Sequence, residues 1–235
     1  KSYPQSPRVR RRWVMSRMLE MALIWFAILF VAVQYIMPGL RNTLVTLEHP
    51  DVLRFAEGLV KIAVPNFVVW ILGFYAIFHL QLNIIAELLS FGDRQFYRDW
   101  WNATTVEYFW KSWNLPVHQW MVAHVYNPMV RNRIAGKQMA SLTCFTLSAV
   151  FHEIIVSIPF RNFKMLAFGG MMAQVLLIEM TRPLKGKQVG NVIFWLSIIL
   201  GQPLIVLLYF RDHMKGMSGP WTEADSQFYT KLLGL

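Results

Sequence analysis

An all-α, polytopic membrane fold is what this sequence predicts, and three observations predict it. Hydrophobic residues fill 55% of the 235 positions and charged residues only 15%, less charge than a soluble domain of this length carries. The apolar residues are gathered into charge-free runs long enough to cross a bilayer as helices, about 20 residues at ~1.5 Å each. The net charge of +10 comes from Lys and Arg that flank those runs. That pattern fits topology signals and headgroup contacts, and it argues against nucleic acid as a partner.

Five transmembrane helices are expected. The first is Met21–Leu40, closed by Pro38-Gly39. The second is Ile62–Ala86, broken by Pro65. The third is Gln138–Phe160. The fourth, Met165–Met180, is shorter and carries Gly169-Gly170 and a late Glu179. The fifth is Gln188–Phe210, interrupted by Gly201-Gln202-Pro203. Lys and Arg number 15 on the side of the N-terminal arm, the 91–137 loop and the 182–187 loop, against 8 on the other. The positive-inside rule puts the richer side in the cytosol. The chain begins at Lys1 without a signal-peptide pattern, so residues 1–235 read as the C-terminal portion of one longer domain. The one cysteine, Cys144, lies in an apolar run; no intrachain disulfide is possible, and a small buried side chain is expected.

The segment Phe91–Lys137 is dense in aromatic residues and scattered with charges. Trp and Tyr favour the membrane interface, so short amphipathic helices on the cytosolic side are expected there. Thr104 or Thr105 is a candidate helix cap, and Pro116 and Pro128 should bend or stop these helices.

His152 and Glu153 lie in the middle of the third span, and an ionisable residue at that depth marks a functional site by default. On a helix Ser148 shares the face of His152, whereas Glu153 is displaced by about 100°. A neutral buried imidazole can take a proton as a general base. A structural histidine bonded to a backbone carbonyl is the alternative. Asn114 and His118 share a face if the segment is helical, with a cap or loop bond as the plain reading. Gln202 is a buried amide that needs partners. His79, Glu87 and Gln174 read as packing or interface residues. No metal spacing, phosphate-binding glycine loop or G-x-S-x-G is found. A transporter using the His-Glu pair as a proton relay fits the composition, as does a structural membrane scaffold.

Phe96-Tyr97-Arg98-Asp99-Trp100-Trp101-Asn102 matches the FYxDWWN motif of the membrane-bound O-acyltransferases that esterify diacylglycerol or sterol. Trp113-Asn114-Leu115-Pro116-Val117-His118-Gln119-Trp120 and Ser148-Ala149-Val150-Phe151-His152-Glu153 match further blocks in the expected order. The chain resembles the C-terminal part of that family from Ser6-Pro7-Arg8 through Gly201-Gln202-Pro203. Asn114 to His118, Val156 to Pro159 and Gly170 to Gln174 favour the diacylglycerol branch over the sterol branch.

The resemblance implies transfer of a fatty acyl group from acyl-CoA, a substrate rather than a cofactor, to the hydroxyl of diacylglycerol. It implies His152 as the catalytic base with Asn114 beside it, and Ser148, Glu153 and Gln202 as polar positions near the reaction centre. The FYxDWWN segment, with Trp113, His118, Tyr126 and Lys137, completes the expected substrate contacts. Arg131 and Arg133 are further candidates for the CoA phosphates. Where relatives can carry Arg, this chain has Ser141, which argues against a phosphate contact at that position. The resemblance also implies a multi-pass protein of the endoplasmic reticulum, membrane lipids as neighbours, and a homo-oligomer formed through parts outside this chain.

Overall fold

The computed structural model describes residues 8–47, 52–160 and 163–216. Ser6, Pro7 and Arg161 lie outside them, as does the tail from residue 217 on. Among the described residues the chain is helical, with no strand.

Helix α1 (Arg11–Val31) runs through a π-helical turn (Ala32–Ile36) into α2 (Met37–Leu47). Pro38-Gly39 therefore does not close the first span. In the π turn the Met37 N–H donates to the Ala32 carbonyl, five residues back. That wider winding carries the chain past the proline ring, which would otherwise press on the carbonyl four residues behind it. Helix α3 (Val52–Phe74) likewise passes through Pro65 unbroken and continues by a second π turn (Tyr75–Gln81) into α4 (Leu82–Leu88). Ile62 and Ala63, just before Pro65, are buried, and Ile62 packs in a cluster with Leu40, Leu207 and Phe210. Packing against neighbouring helices holds the backbone that the proline leaves unbonded.

The 91–137 segment forms a 3-10 turn (Trp100–Asn102), then α5 (Val106–Ser112), α6 (Leu115–Met121), a π turn (Val122–Tyr126) and α7 (Asn127–Arg131). Thr105 is the N-cap of α5, its hydroxyl accepting from the Tyr108 N–H at 3.2 Å. Thr104 instead accepts from the Gly186 N–H at 3.0 Å. Pro116 sits in the first turn of α6, where its missing N–H is no loss. Pro128 opens α7 and does not stop the helix, because the preceding π turn again takes up the mismatch.

Helix α8 (Lys137–Phe160) packs on α9 (Leu166–Thr181), and α10 (Gln188–Gly216) packs on α3 and α9. Gly201-Gln202-Pro203 does not interrupt α10; Pro203 is fully buried within it. Among the described residues, four helical runs are long and apolar enough to cross a membrane: Arg11–Thr43, Leu53–Leu88, Lys137–Ile158 and Gln188–Arg211. The fourth expected span exists as α9 but has only 16 residues, about 24 Å, short of the ~30 Å hydrocarbon core.

One core is almost entirely aromatic. Phe74, Trp100, Phe109 and Phe194 form its buried centre, with Trp70, Phe78, Tyr97, Trp113 and Trp195 packed around them. This cluster ties α3, α5 and α10 to the loop before α5. Outward from it, Leu19, Leu23, Phe26, Leu29 and Phe30 of α1 stay exposed, as lipid-facing side chains do.

Candidate active site

His152 lies about two thirds of the way along α8 and is half-buried. Its Nδ1 is 2.7 Å from the carbonyl oxygen of Ser148, one turn earlier. A carbonyl only accepts, so Nδ1 carries the proton. In the neutral ring Nε2 is then an acceptor, the tautomer a general base needs. The Ser148 hydroxyl stands 3.5 Å from the same Nδ1. The backbone bond of the plain reading is present, and it is also what sets the free nitrogen. Trp110 of α5 meets the imidazole edge to face, ring centroids 6.3 Å apart.

Glu153 faces elsewhere. Its carboxylate accepts from the Ser157 hydroxyl at 2.6 Å, the Tyr209 hydroxyl at 2.6 Å, and the backbone N–H groups of Met165 at 2.9 Å and Phe168 at 3.0 Å. It thus clamps α8 to the start of α9 and to α10. Met165 holds a left-handed conformation, φ 57°, at the head of α9, and a carboxylate on the first N–H groups of a helix complements the helix dipole. Glu153 is 3% exposed and both its oxygens accept bonds from the protein, which gives it a structural role beside the expected substrate contact.

Asn114 is the N-cap of α6; its Oδ1 accepts from the Val117 N–H at 3.2 Å, which leaves its amide N–H₂ to donate. Gln202 is half-buried on α10. Among the described residues no hydrogen bond joins His152 to Asn114 or Gln202; Trp110 is the ring that links α5 to the histidine. His118, one turn beyond Asn114, is half-buried, and burial first, then the positive charges of Lys111 and Arg98, hold its imidazole below the ordinary range. Tyr126 lies in the π turn that packs on α8. Arg131, Arg133 and Lys137 are exposed around the turn between α7 and α8, free of the core.

The FYxDWWN segment divides. Trp100 is 2% exposed in the aromatic core, which gives it a packing role. Tyr97 points to His79, hydroxyl to Nδ1 at 2.8 Å, and burial raises its phenol above the ordinary range. Asp99 accepts from the Tyr108 hydroxyl, which lowers its carboxyl below the usual value. The Arg98 N–H donates to the Ser112 carbonyl at 2.8 Å, and Phe96 accepts from the Leu115 N–H at 2.9 Å. Trp101 and Asn102 remain exposed. Trp113 stacks on Trp70, centroids 5.9 Å apart. Most of the motif therefore locks the helices that carry Trp110 and Asn114.

Glu87, read from the sequence as a packing or interface residue, is one such support, and Thr181 and Asn191 are two that the sequence did not mark. Glu87 is fully buried and takes two bonds from the Arg10 guanidinium, one from its backbone N–H and an ion pair with Arg94 at 2.7 Å. Its position as a carboxylate late in an apolar span was the available signal. Thr181 accepts from the Val106 N–H at 3.1 Å, and Asn191 donates to the carbonyls of Trp101 and Ala103 at 3.1 and 2.9 Å. Nothing in the local sequence marks these long-range caps. Among the described residues no three His, Cys, Asp or Glu side chains converge as a metal site.

Residues 1–211 match the family model of the membrane-bound O-acyltransferases. The chain is 49% identical over 212 residues to "Diacylglycerol O-acyltransferase 1" of Dictyostelium discoideum, covering 90% of this chain and 34% of that protein. It is 45% identical over 214 residues to the human protein of the same name, covering 90% and 43%, and 46% identical over 221 residues to "Diacylglycerol O-acyltransferase 1A" of Glycine max, covering 91% and 43%. The chain thus spans less than half the length of these relatives.

Proposed function

The chain belongs to the membrane-bound O-acyltransferase family, and on that premise we propose that the protein transfers a fatty acyl group from acyl-CoA to the free hydroxyl of diacylglycerol, forming triacylglycerol. The observation that carries the chemistry is the His152 Nδ1 bond to the Ser148 carbonyl, which leaves Nε2 to accept a proton. Names of relatives at 44–49% identity support the substrate pair.

His152 Nε2 takes the hydroxyl proton as the oxygen attacks the thioester carbonyl carbon. The carbon–sulfur bond then breaks, and the proton passes from His152 to the departing CoA thiolate. Transfer is direct and needs no acyl-enzyme. The Asn114 amide and Gln202 are the side-chain donors proposed to orient the substrates in this space. Arg131, Arg133 and Lys137 form the exposed basic rim suited to CoA phosphates. We assign the site to the endoplasmic reticulum membrane and expect a homo-oligomer in the whole protein.

Triacylglycerol formation from labelled acyl-CoA and diacylglycerol tests the reading, with the full-length protein and with His152→Ala. Activity should vanish in the variant while the protein remains folded; retained activity sinks the base assignment. Exchanging diacylglycerol for a sterol checks the acceptor: preferential sterol ester formation overturns it.

A further inference from the structure

Trp110 carries a buried polar atom at this site that the fold leaves without a partner. Its indole N–H is buried and has no hydrogen-bond partner. An indole nitrogen only donates, and buried donors nearly always find acceptors. Phe109 and Phe145 wall the ring at centroid distances of 5.1 and 5.6 Å, and His152 borders it at 6.3 Å, perpendicular to within a degree. The imidazole is thus one of the three rings that surround the indole.

Trp100 makes an instructive comparison. Its N–H is unpartnered too, but Trp70 and Phe74 stand at steep angles only 5.1 and 5.0 Å away in the packed core, where a weak N–H to ring contact is the available partner. Trp110 instead borders a nitrogen held ready to accept a proton.

Resting on the acyl-transfer reading above, we propose that Trp110 Nε1 donates a hydrogen bond to the thioester carbonyl oxygen of acyl-CoA and stabilises the charge that develops there. As the acceptor oxygen bonds to the carbonyl carbon, His152 Nε2 receives its proton and the carbonyl oxygen gains the electron pair. That oxygen needs a fixed donor in a water-poor site. When the carbonyl re-forms, the carbon–sulfur bond breaks and the thiolate takes the proton from His152. Phe109 and Phe145 hold the indole plane, so the donor is pre-set before substrate arrives.

The test removes the N–H, and its second variant also keeps the bicyclic ring. Trp110→Phe is one variant; 3-benzothienylalanine at position 110, with sulfur in place of N–H, is the second. Both are made in the full-length protein and assayed with oleoyl-CoA and diacylglycerol. Turnover should fall about 10²–10³-fold, KM for oleoyl-CoA should stay within about threefold, and thermal stability of the benzothienyl variant should hold or rise because an unsatisfied donor is gone. Turnover near wild type in the benzothienyl variant overturns the proposal. So does a raised KM with turnover kept, since that describes ground-state packing. If Trp110→Phe fails to fold, the benzothienyl variant decides alone. Activity retained in His152→Ala refutes the base assignment independently of either Trp110 variant. A wild type that transfers acyl groups to no acceptor sinks the function reading and this proposal with it.

Discussion

Gly190→Ala is the substitution whose sign the structure inverts. Gly190 lies in the first turn of α10, and in a helix alanine is ordinarily better than glycine by up to about 1 kcal/mol. Here an added Cβ would overlap the Thr104 carbonyl oxygen and stand 3.0 Å from the Leu184 oxygen. The obstacle is backbone on both sides, so no side-chain rotation relieves it. Relief requires the 101–104 strip to retreat from α10. That movement stretches the two Asn191 bonds to Trp101 and Ala103 and the Thr104 bond to Gly186. Three bonds at roughly 1 kcal/mol each, plus about 1–3 kcal/mol of overpacking, less the helix gain of about 1 kcal/mol, give a net loss on the order of 3–5 kcal/mol. Thermal unfolding of the purified full-length protein in detergent measures it. Gly73→Ala is the control, because its Cβ would meet nothing within 4 Å. A Gly190→Ala midpoint equal to or above wild type would refute the packing argument.

Glu153→Ala should lower both activity and thermal stability, since four donors lose one acceptor; a loss on the order of 3 kcal/mol or more is expected, whereas His152→Ala should lower activity alone. Arg10→Ala leaves the buried Glu87 carboxylate with Arg94 as its remaining cation, and the melting midpoint in detergent should drop; an unchanged midpoint shows that the clamp is idle. His118 supplies a pH test. Its folded-state pKa is lowered, chiefly by burial, so the unfolded chain binds the proton more readily, and stability should fall as pH drops through about 6.5 toward the folded value. Melting curves between pH 7.5 and 5.5 should lose part of this slope in His118→Gln; an identical slope refutes the assignment.

The spans were legible because bilayer length and charge exclusion leave few alternatives. Their interruptions were not. Pro38, Pro65, Pro128 and Pro203 all read locally as breakers, yet each lies inside a continuous helical run. Three π turns, two of them just ahead of prolines, are fixed by winding and neighbouring helices rather than by composition. The caps at Thr105 and Asn114 were readable, because a capping side chain acts on residues two or three places away. Thr181 and Asn191, which hold the chain 75 and about 90 residues distant, have no local pattern to betray them.

The neighbouring pair in α8 shows why proximity in sequence misleads on a helix. A 100° turn separates His152 from Glu153, which is enough to hand them to different partners. The imidazole goes to α5 and the carboxylate to α9 and α10. A shared proton relay would need the two groups to meet, and with Nδ1 on the Ser148 carbonyl and both Glu153 oxygens engaged, they do not. The division suits transfer chemistry. A nucleophile must approach an acceptor nitrogen within hydrogen-bond reach, and small displacements are expensive in rate. Glu153 fixes the helix one residue from the proposed base without adding a second charge beside it, so loss of the carboxylate should move His152 before it changes any bond His152 makes.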